Sequence, residues 1–244
     1  MAKNTDKILA KVLQLHSLYQ SGAIARLAQH EVHPDLDTGS MENYLYFTLP
    51  PCINFQRNSP AMWRSALATW EDSKTRYLFL PEEVFRQARD KVQRDLLKYK
   101  LALQPNKHTD IWIAISRTLH QFFQDDPRKL LASANCDVGK ILRLIQKDRK
   151  KDFTHLSGPK MTNYWLYILS QYTDVKLASM EEISIIPDTH VLQCSVKLGI
   201  ADENTTSIQV AELWKELLRG SGIAPVQMHP VLWNWSRAGF IPAI

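Results

Sequence analysis

Apolar residues recur at intervals of three and four along most of the chain, which is the spacing of one face of an α-helix. The clearest examples are residues 8–18 and residues 84–97. The same spacing predicts further helices over residues 40–54, 62–70, 110–123, 138–145, 161–172, 189–198, 208–218 and 226–237. The alternation typical of strands is limited to residues 183–186, a run too isolated to form a sheet. The sequence therefore predicts an all-α protein.

Proline and glycine fall between the predicted helices, and no low-complexity tether or internal repeat separates large parts of the chain. With 244 residues, 45% of them hydrophobic, the chain can bury a sizeable core as one domain or as two closely packed lobes. We expect a division between lobes near residues 103–107, with the C-terminal segment returning to the first lobe.

Charge and cysteine content narrow the class of protein. Lysine and arginine number 30 against 25 acidic residues, so the net charge of +5 permits a polyanionic partner without requiring one. The three cysteines, Cys52, Cys136 and Cys194, lie far apart and match neither a CxxC pair nor an iron–sulfur spacing. The simplest interpretation is an intracellular, reduced protein. We expect no signal peptide and no membrane span, because no apolar run approaches the ~18 residues that a span needs.

The start of the predicted helix at residues 161–172 carries a lysine. Pro159 fits the first helical position, and Ser157 or Gly158 can cap the helix. Lys160 therefore falls in the first turn, beside unpaired backbone N–H groups. The positive end of the helix dipole disfavours an ammonium there and makes a neutral, nucleophilic amine accessible.

A carboxylate stands at another helix start, where Asp188 follows Pro187 and precedes the predicted helix at residues 189–198. A nucleophilic amine and a carboxylate on facing helix starts suit attack on a sugar carbon whose transition state is cationic. Each residue alone has a simpler interpretation, since Lys160 could be a solvated lysine and Asp188 only an N-cap.

A basic stretch directly precedes the turn that carries Lys160. Its members are Arg143, Lys147, Arg149, Lys150 and Lys151. A solvated helix end explains such a stretch on its own. Its position also fits a hairpin, in which helix, short turn with glycine and helix hold a nucleic-acid phosphate through backbone N–H groups and lysines without reading sequence.

Two segments carry a resemblance to a known family. Residues 156–160 (LSGPK), followed by an apolar helix and then by residues 187–191 (PDTHV), resemble the helix-hairpin-helix superfamily of DNA glycosylases. In that superfamily a lysine after the hairpin and an aspartate at a later helix start form the active site. Leu156 stands where the family has the first hairpin glycine, which is a departure from its pattern.

The interval from Lys160 to Asp188 is most similar to that of the archaeal 8-oxoguanine DNA glycosylase branch. Residues 213–214, 221–225 and 231–233 with Arg237 follow the order of that branch's C-terminal helices, and residues 53–56 with Trp63 resemble its early pocket segment. The resemblance covers about residues 140–239 and, more thinly, residues 45–70.

The resemblance implies a two-lobed helical DNA glycosylase fold with a helix-hairpin-helix motif, formed by residues 1–244 as a single domain. The motif would span about residues 137–172, and the C-terminal helices at about 207–238 would return to the cleft. Lys160 would be the Schiff-base nucleophile and Asp188 the catalytic carboxylate.

The resemblance also implies a base pocket and a DNA-backbone surface. His229 stands where the family has an acidic base-reading residue, so the identity of the excised base stays open. The implied base-pocket residues are Trp63, Tyr164, Trp233 and His229, and the implied backbone contacts are Ser157, Gly158, Lys147, Lys150 and Lys151.

The implied function is base-excision DNA repair. A bifunctional DNA glycosylase/AP lyase would remove an oxidised purine, such as 8-oxoguanine, through a lysine Schiff base and β-elimination. We expect a monomer that acts on double-stranded DNA containing a damaged base, without cofactor or catalytic metal, in the cytoplasm at the nucleoid. Two alternatives remain: a monofunctional glycosylase that acts on another damaged base or on a nucleoside with water as nucleophile, and a non-catalytic helix-hairpin-helix DNA-binding module.

Overall fold

Helices make up all of the regular structure that is described. The computed structural model describes residues 2–26 and 31–244. Within these ranges no strand forms, and only an isolated bridge joins Asp137 to Ala178, so the all-α prediction is confirmed. The α-helices are Ala2–Gln20 (α1), Met41–Thr48 (α2), Ser59–Glu71 (α3), Pro81–Arg86 (α4), Arg89–Lys98 (α5), Pro105–Phe123 (α6), Pro127–Ser133 (α7), Val138–Arg143 (α8), Pro159–Tyr172 (α9), Thr189–Leu198 (α10), Ser207–Leu217 (α11) and Met228–Arg237 (α12). Short 3₁₀ helices cover Pro50–Ile53, Arg76–Phe79, Met180–Glu182 and Pro225–Gln227, and a π-helical turn covers Leu144–Asp148.

Side-chain caps explain where several helices begin. An N-cap side chain that accepts a backbone N–H satisfies one of the four donors left over at a helix start. Asp137 accepts from the N–H of Lys140 at the start of α8, and Thr206 forms a reciprocal capping box with Gln209 at the start of α11. Proline occupies the first turn of α3, α4, α6, α7 and α9, where its missing N–H costs nothing.

Two predicted helices are interrupted in the structure: the one over residues 40–54 ends as an α-helix at Thr48 and is followed by a 3₁₀ helix, and the one over residues 84–97 is broken in its middle. The apolar spacing over residues 84–97 is continuous, yet the chain forms two helices, α4 and α5, that break at Gln87 and Ala88. Ala88 has an extended backbone (φ −64°, ψ 141°) and serves as the N-cap residue of α5. Val84 and Val92 are both buried, so each short helix keeps an apolar face although the helix itself is interrupted.

The helices fall into two compact units. The unit His30–Ala178 is continuous in sequence and contains α2 to α9. Its core is rich in aromatic rings: Tyr46 stacks on Phe79 at 5.4 Å, and Phe79 meets Trp112 edge-on at 5.6 Å. Such ring pairs contribute both buried apolar area and a preferred geometry. We call this the central unit.

The other unit combines Met1–Gln29 with Ser179–Ile244. Val12 and Leu15 of α1 share one hydrophobic cluster with Val191, Trp214 and residues of α12. We call this the terminal unit. The predicted division near residues 103–107 is wrong, because these residues lie inside the central unit between α5 and α6. We expected the C-terminal segment to pack against the whole first lobe, up to residue 103. It shares a unit with residues 1–29 only, because the chain from His30 onward belongs to the central unit.

None of the described helices is long and apolar enough to cross a membrane.

Candidate functional site

The chain segment before Lys160 is held by two buried side chains. After α8 and its π-helical continuation, residues 149–158 lead to α9, and within them Phe153 and Leu156 are 1% and 0% exposed. The carbonyl of Leu156 also accepts a hydrogen bond from Thr162 Oγ1 (2.6 Å). Leu156, at the position where the resemblance led us to expect a glycine, therefore packs into the core.

The backbone N–H groups of Ser157 and Gly158 are engaged inside this turn. The N–H of Ser157 donates to the carbonyl of Phe153 (2.8 Å), and that of Gly158 donates to the carbonyl of His155 (3.1 Å). In this conformation they are not free to hold a phosphate, in contrast to the role that the sequence suggested for them. The N–H groups of Lys160 and Met161, in the first turn of α9, have no acceptor among the described residues.

Lys160 occupies the second position of α9, as the sequence predicted. Pro159 precedes it at the first position, and Gly158 is the N-cap residue without a side-chain cap. The lysine side chain is exposed and forms no ion pair with any described residue. Tyr164 follows one turn later on the same helix, so the two side chains are neighbours on one face.

Two of the predicted base-pocket residues meet in the central unit. The indole N–H of Trp63 donates to the hydroxyl of Tyr164 (3.0 Å), and that hydroxyl also lies 3.3 Å from Ser59 Oγ. Asn54 Nδ2 donates to the same Ser59 hydroxyl (3.0 Å). Burial, and next the charge of Glu31, raise the pKa of Tyr164 above its usual range, so the phenol stays protonated at neutral pH.

Trp63 and Tyr164 differ in how far they reach the surface. Trp63 is 1% exposed, so in this structure it packs inside the unit and does not line an open surface. Tyr164 is half-buried, and its hydroxyl accepts the Trp63 indole N–H. Of the two rings, only Tyr164 is available to a ligand without rearrangement of the core.

Replacing Tyr164 with phenylalanine is expected to lower the free energy of unfolding by about 1–3 kcal/mol, because the buried Trp63 N–H loses its acceptor. Urea denaturation measures this change. Tyr99→Phe is the matched control, since its hydroxyl bonds to Asp72, which keeps Lys98 as a partner. We expect that control to stay within about 0.5 kcal/mol of the parent. Equal stabilities for Tyr164→Phe and the parent would show that the hydrogen bond contributes nothing.

Asp188 is the N-cap residue of α10 in the terminal unit, as predicted. One carboxylate oxygen accepts the N–H of Val191 (2.9 Å), and the other lies 3.4 Å from Nε2 of His229. The exposed fractions of the two side chains are 28% and 21%, so the pair is largely shielded from water. Burial alone would raise the pKa of Asp188, but the hydrogen bond and charge of His229, with the N–H of Val191, outweigh it and lower the pKa. The group is therefore a carboxylate at neutral pH.

The pairing of His229 with Asp188 is a contact that the sequence analysis missed. His229 was expected to read the base, whereas the structure gives its imidazole a carboxylate partner. No pattern of neighbouring residues in the sequence predicts this pair, because Asp188 caps α10 whereas His229 lies in α12.

Trp233 contacts His190, which lies two residues after Asp188 in the sequence. His190, which follows Asp188 in α10, meets the Trp233 ring edge-on at 5.5 Å and hydrogen bonds to Ser236 (3.1 Å). The guanidinium of Arg237 lies over the same indole, 4.7 Å from its centre. Trp233 is partly exposed, so an aromatic surface with a cation over it is accessible in the terminal unit.

The basic stretch separates into paired and unpaired cations. Arg143 pairs with Asp148, and Arg149 pairs with Asp152 while lying 3.6 Å above the Phe122 ring. The exposed ammonium groups of Lys147, Lys150 and Lys151 have no carboxylate partner among the described residues. The two arginines thus form ion pairs within the protein, whereas the three lysines are available to bind an external anion.

No group of three or more potential metal ligands occurs in the part of the chain that the structure describes. No family model matches the chain, and no curated protein matches it either. The case for a function therefore depends on the groups described above, Lys160 in the central unit and Asp188 in the terminal unit.

Proposed function

We propose that the protein is a base-excision DNA repair enzyme, a bifunctional DNA glycosylase/AP lyase that removes an oxidised purine from double-stranded DNA. We take 8-oxoguanine as the first substrate to test. Lys160 is the nucleophile and Asp188 the catalytic carboxylate. The proposal requires that both groups reach the same deoxyribose in the complex with DNA.

The observation that carries the proposal is the placement of these two groups at helix starts, with the lysine side chain accessible and the aspartate charged. The Lys160 side chain is exposed and unpaired in the first turn of α9. Asp188 caps α10 and is held as a carboxylate by His229 and the N–H of Val191. An unpaired amine is available to attack, and a preorganised, partly buried anion stabilises a developing cation better than a solvated one does.

The mechanism begins with extrusion of the damaged nucleotide, since a base inside a duplex cannot be reached. Lys160 Nζ forms a bond to C1′ of the sugar while the bond from C1′ to the base breaks. The base leaves with the bonding electron pair and takes up a proton. Asp188 stabilises the oxocarbenium-like charge at C1′ and accepts a proton from the attacking amine.

The covalent adduct then explains the lyase step. Opening of the sugar ring gives a Schiff base between Lys160 and C1′, which acidifies the hydrogen on C2′. Loss of that proton with departure of the 3′ phosphate breaks the strand by β-elimination. Hydrolysis of the imine finally regenerates the Lys160 amine. The reaction draws on no oxidant or reductant.

Stacking of the extruded base on aromatic side chains offsets part of the free-energy cost of extrusion. Unstacking a nucleotide costs a few kcal/mol, and stacking on an aromatic side chain contributes about 1–3 kcal/mol per base. Trp233 is partly exposed in the terminal unit and contacts His190, and Tyr164 lies one turn from Lys160. Trp63 supports Tyr164 from inside the central unit through its N–H.

A panel of duplexes, each with one lesion opposite each of the four bases, tests the function. The assay separates base release from strand scission by running each reaction with and without hot alkali. The proposal expects nicking without alkali on a duplex that contains an oxidised purine. Base release that needs alkali for scission would favour the monofunctional alternative. Binding without base release on any duplex would favour the non-catalytic module.

The unpaired lysines are expected to carry a sequence-independent part of DNA binding. In the triple variant Lys147→Gln, Lys150→Gln and Lys151→Gln, affinity for an undamaged duplex should fall. The slope of log K against log salt concentration should flatten by about 0.9 for each phosphate that the variant no longer neutralises. Fluorescence anisotropy at several salt concentrations measures both quantities.

Arg143→Gln is the matched control for the lysine triple variant, because its guanidinium is already paired with Asp148. We expect its salt slope to stay close to that of the parent. An unchanged slope in the triple variant would show that the lysines form a solvated face.

A further inference from the structure

The N-terminus of α6 leaves backbone donors open. Pro105 occupies the first position, and the N-cap residue Gln104 provides no side-chain cap. The first backbone bond of the helix runs from the N–H of His108 to the carbonyl of Gln104 (2.9 Å). The N–H groups of Asn106 and Lys107 have no acceptor among the described residues. They lie at the positive end of a 19-residue helix.

A buried histidine adds a donor at the same helix start. His108 is 0% exposed, and its Nδ1 accepts the N–H of Leu103 (3.1 Å), so the imidazole folds back over the first turn. Burial first, and then the charges of Arg57, His155 and Lys107, lower the pKa of His108 to about 4, so the ring is neutral at pH 7. In a neutral ring whose Nδ1 accepts a hydrogen bond, the proton sits on Nε2. Nε2 has no partner in the structure.

Arg57 supplies a second donor without an acceptor. Its two terminal nitrogens donate to backbone carbonyls, Nη1 to Leu101 (2.5 Å) and Nη2 to Lys100 (3.2 Å). These carbonyls belong to the segment that leads into α6. Nε of the same guanidinium is buried without a partner. Gln104 Nε2 donates to Gln56 Oε1 (3.1 Å), which ties the loop that carries Arg57 to the helix start.

The positive charge at this helix start is not neutralised within the described residues. The Lys107 ammonium is exposed and lies 4.6 Å from the centre of the Phe55 ring, and neither Lys107 nor Arg57 pairs with a carboxylate. Asp110, one turn along α6, is paired with Arg89 at 2.8 Å. Four N–H donors near this helix start, on Asn106, Lys107, His108 and Arg57, therefore have no acceptor among the described residues.

We propose that the start of α6 is a phosphate-binding site. The N–H groups of Asn106 and Lys107 and the Lys107 ammonium contact the phosphate oxygens, while the N–H groups of Arg57 and His108 that lack acceptors add to the excess of donors around it. A phosphate offers several anionic acceptors to a cluster that lacks acceptors, and helix N-termini favour such a ligand. The inference rests on the proposed function only for the source of the phosphate, which we take to be the DNA backbone.

The DNA arm of the test uses the exposed lysine. Lys107→Gln should flatten the slope of log K against log salt concentration for an undamaged duplex by about 0.9, the value for one phosphate contact. Lys74→Gln is the matched control, an exposed lysine of the same unit that lies outside the α-helices and whose ammonium has no carboxylate partner among the described residues. A flattened slope for Lys107→Gln alone supports the site. Equal slopes for the two variants count against DNA as the source.

The second arm uses inorganic phosphate with the ¹⁵N-labelled full chain at constant ionic strength. The amide signals of Asn106 and Lys107 should move downfield as phosphate is added. Lys107→Glu places a carboxylate at the helix start, where it suits the dipole, so the fold is expected to persist while the phosphate response is lost. A response to phosphate without a slope change in the DNA arm assigns the site to a free phosphate.

The two proposals fail in different ways. No response in either arm overturns the phosphate site, even if the protein proves to be a glycosylase. Failure of the parent protein to bind DNA or release a base overturns the proposed function, and the phosphate titration still decides the site at α6.

Discussion

Borohydride added during turnover of an 8-oxoguanine duplex is expected to trap a covalent protein–DNA adduct with the parent protein and none with Lys160→Gln. Borohydride reduces the imine between the lysine and C1′ to a stable amine, so trapping reports the Schiff base directly. The glutamine side chain keeps similar bulk but has no nucleophilic amine. Because Lys160 is exposed and unpaired, its replacement removes no internal contact, and the variant should fold and bind DNA as the parent does.

Lys176→Gln is the matched control for this experiment, since Lys176 is another exposed lysine of the central unit. It should trap as efficiently as the parent. Denaturing gel electrophoresis of labelled DNA gives the adduct yield, and anisotropy gives the affinity. Trapping that survives Lys160→Gln would mean that another amine performs the chemistry. Base release without trapping in the parent would point to water as the nucleophile.

Asp188→Asn is expected to bind damaged DNA at least as tightly as the parent but to release the base about 10²–10³ times more slowly. Loss of one preorganised electrostatic group typically costs a factor of this size. The change removes the negative charge that matches the cationic transition state, while asparagine still caps α10 through its side-chain oxygen. Single-turnover kinetics with enzyme in excess isolate the chemical step. A rate within a factor of three of the parent would remove Asp188 from the mechanism.

Measuring the free energy of unfolding at several pH values distinguishes two contributions of Asp188 to stability: its negative charge and its hydrogen bond as the N-cap of α10. The pKa of Asp188 is lowered in the folded protein, so its charge stabilises the fold above the unfolded value of about 3.9. That contribution is lost as the pH falls through the folded pKa. The difference in unfolding free energy between parent and Asp188→Asn should therefore shrink in acid. A difference that does not depend on pH would assign the effect to the cap alone.

Local signals allowed correct prediction of much of the helical structure. Pro159 at the first position of α9 and Asp188 before α10 are recognisable from a few neighbouring residues, because capping and the φ of proline act over one turn. The break at Ala88 was missed because a continuous apolar spacing is also compatible with two short helices whose apolar faces are both buried.

Packing between distant segments was beyond the reach of such signals. The division into units depends on contacts of α1 with α10 to α12, and no change in composition marks the boundary before Ser179. The His229 contact with Asp188 likewise depends on how α12 packs against α10. Lys160 and Asp188 could thus be placed on their helices, but the partner that lowers the pKa of Asp188 could not be found without the fold.

The terminal unit is built from both ends of the described chain, and this affects the order in which the two units fold. Because α1 shares its core with residues that lie beyond Ser179, that core cannot close on the ribosome until the C-terminal helices have emerged. The central unit is continuous in sequence, so its contacts require shorter chain closures and are favoured to form first. Until then the apolar face of α1 lacks its packing partners. Exposed apolar surface of this kind is what chaperones bind on a nascent chain.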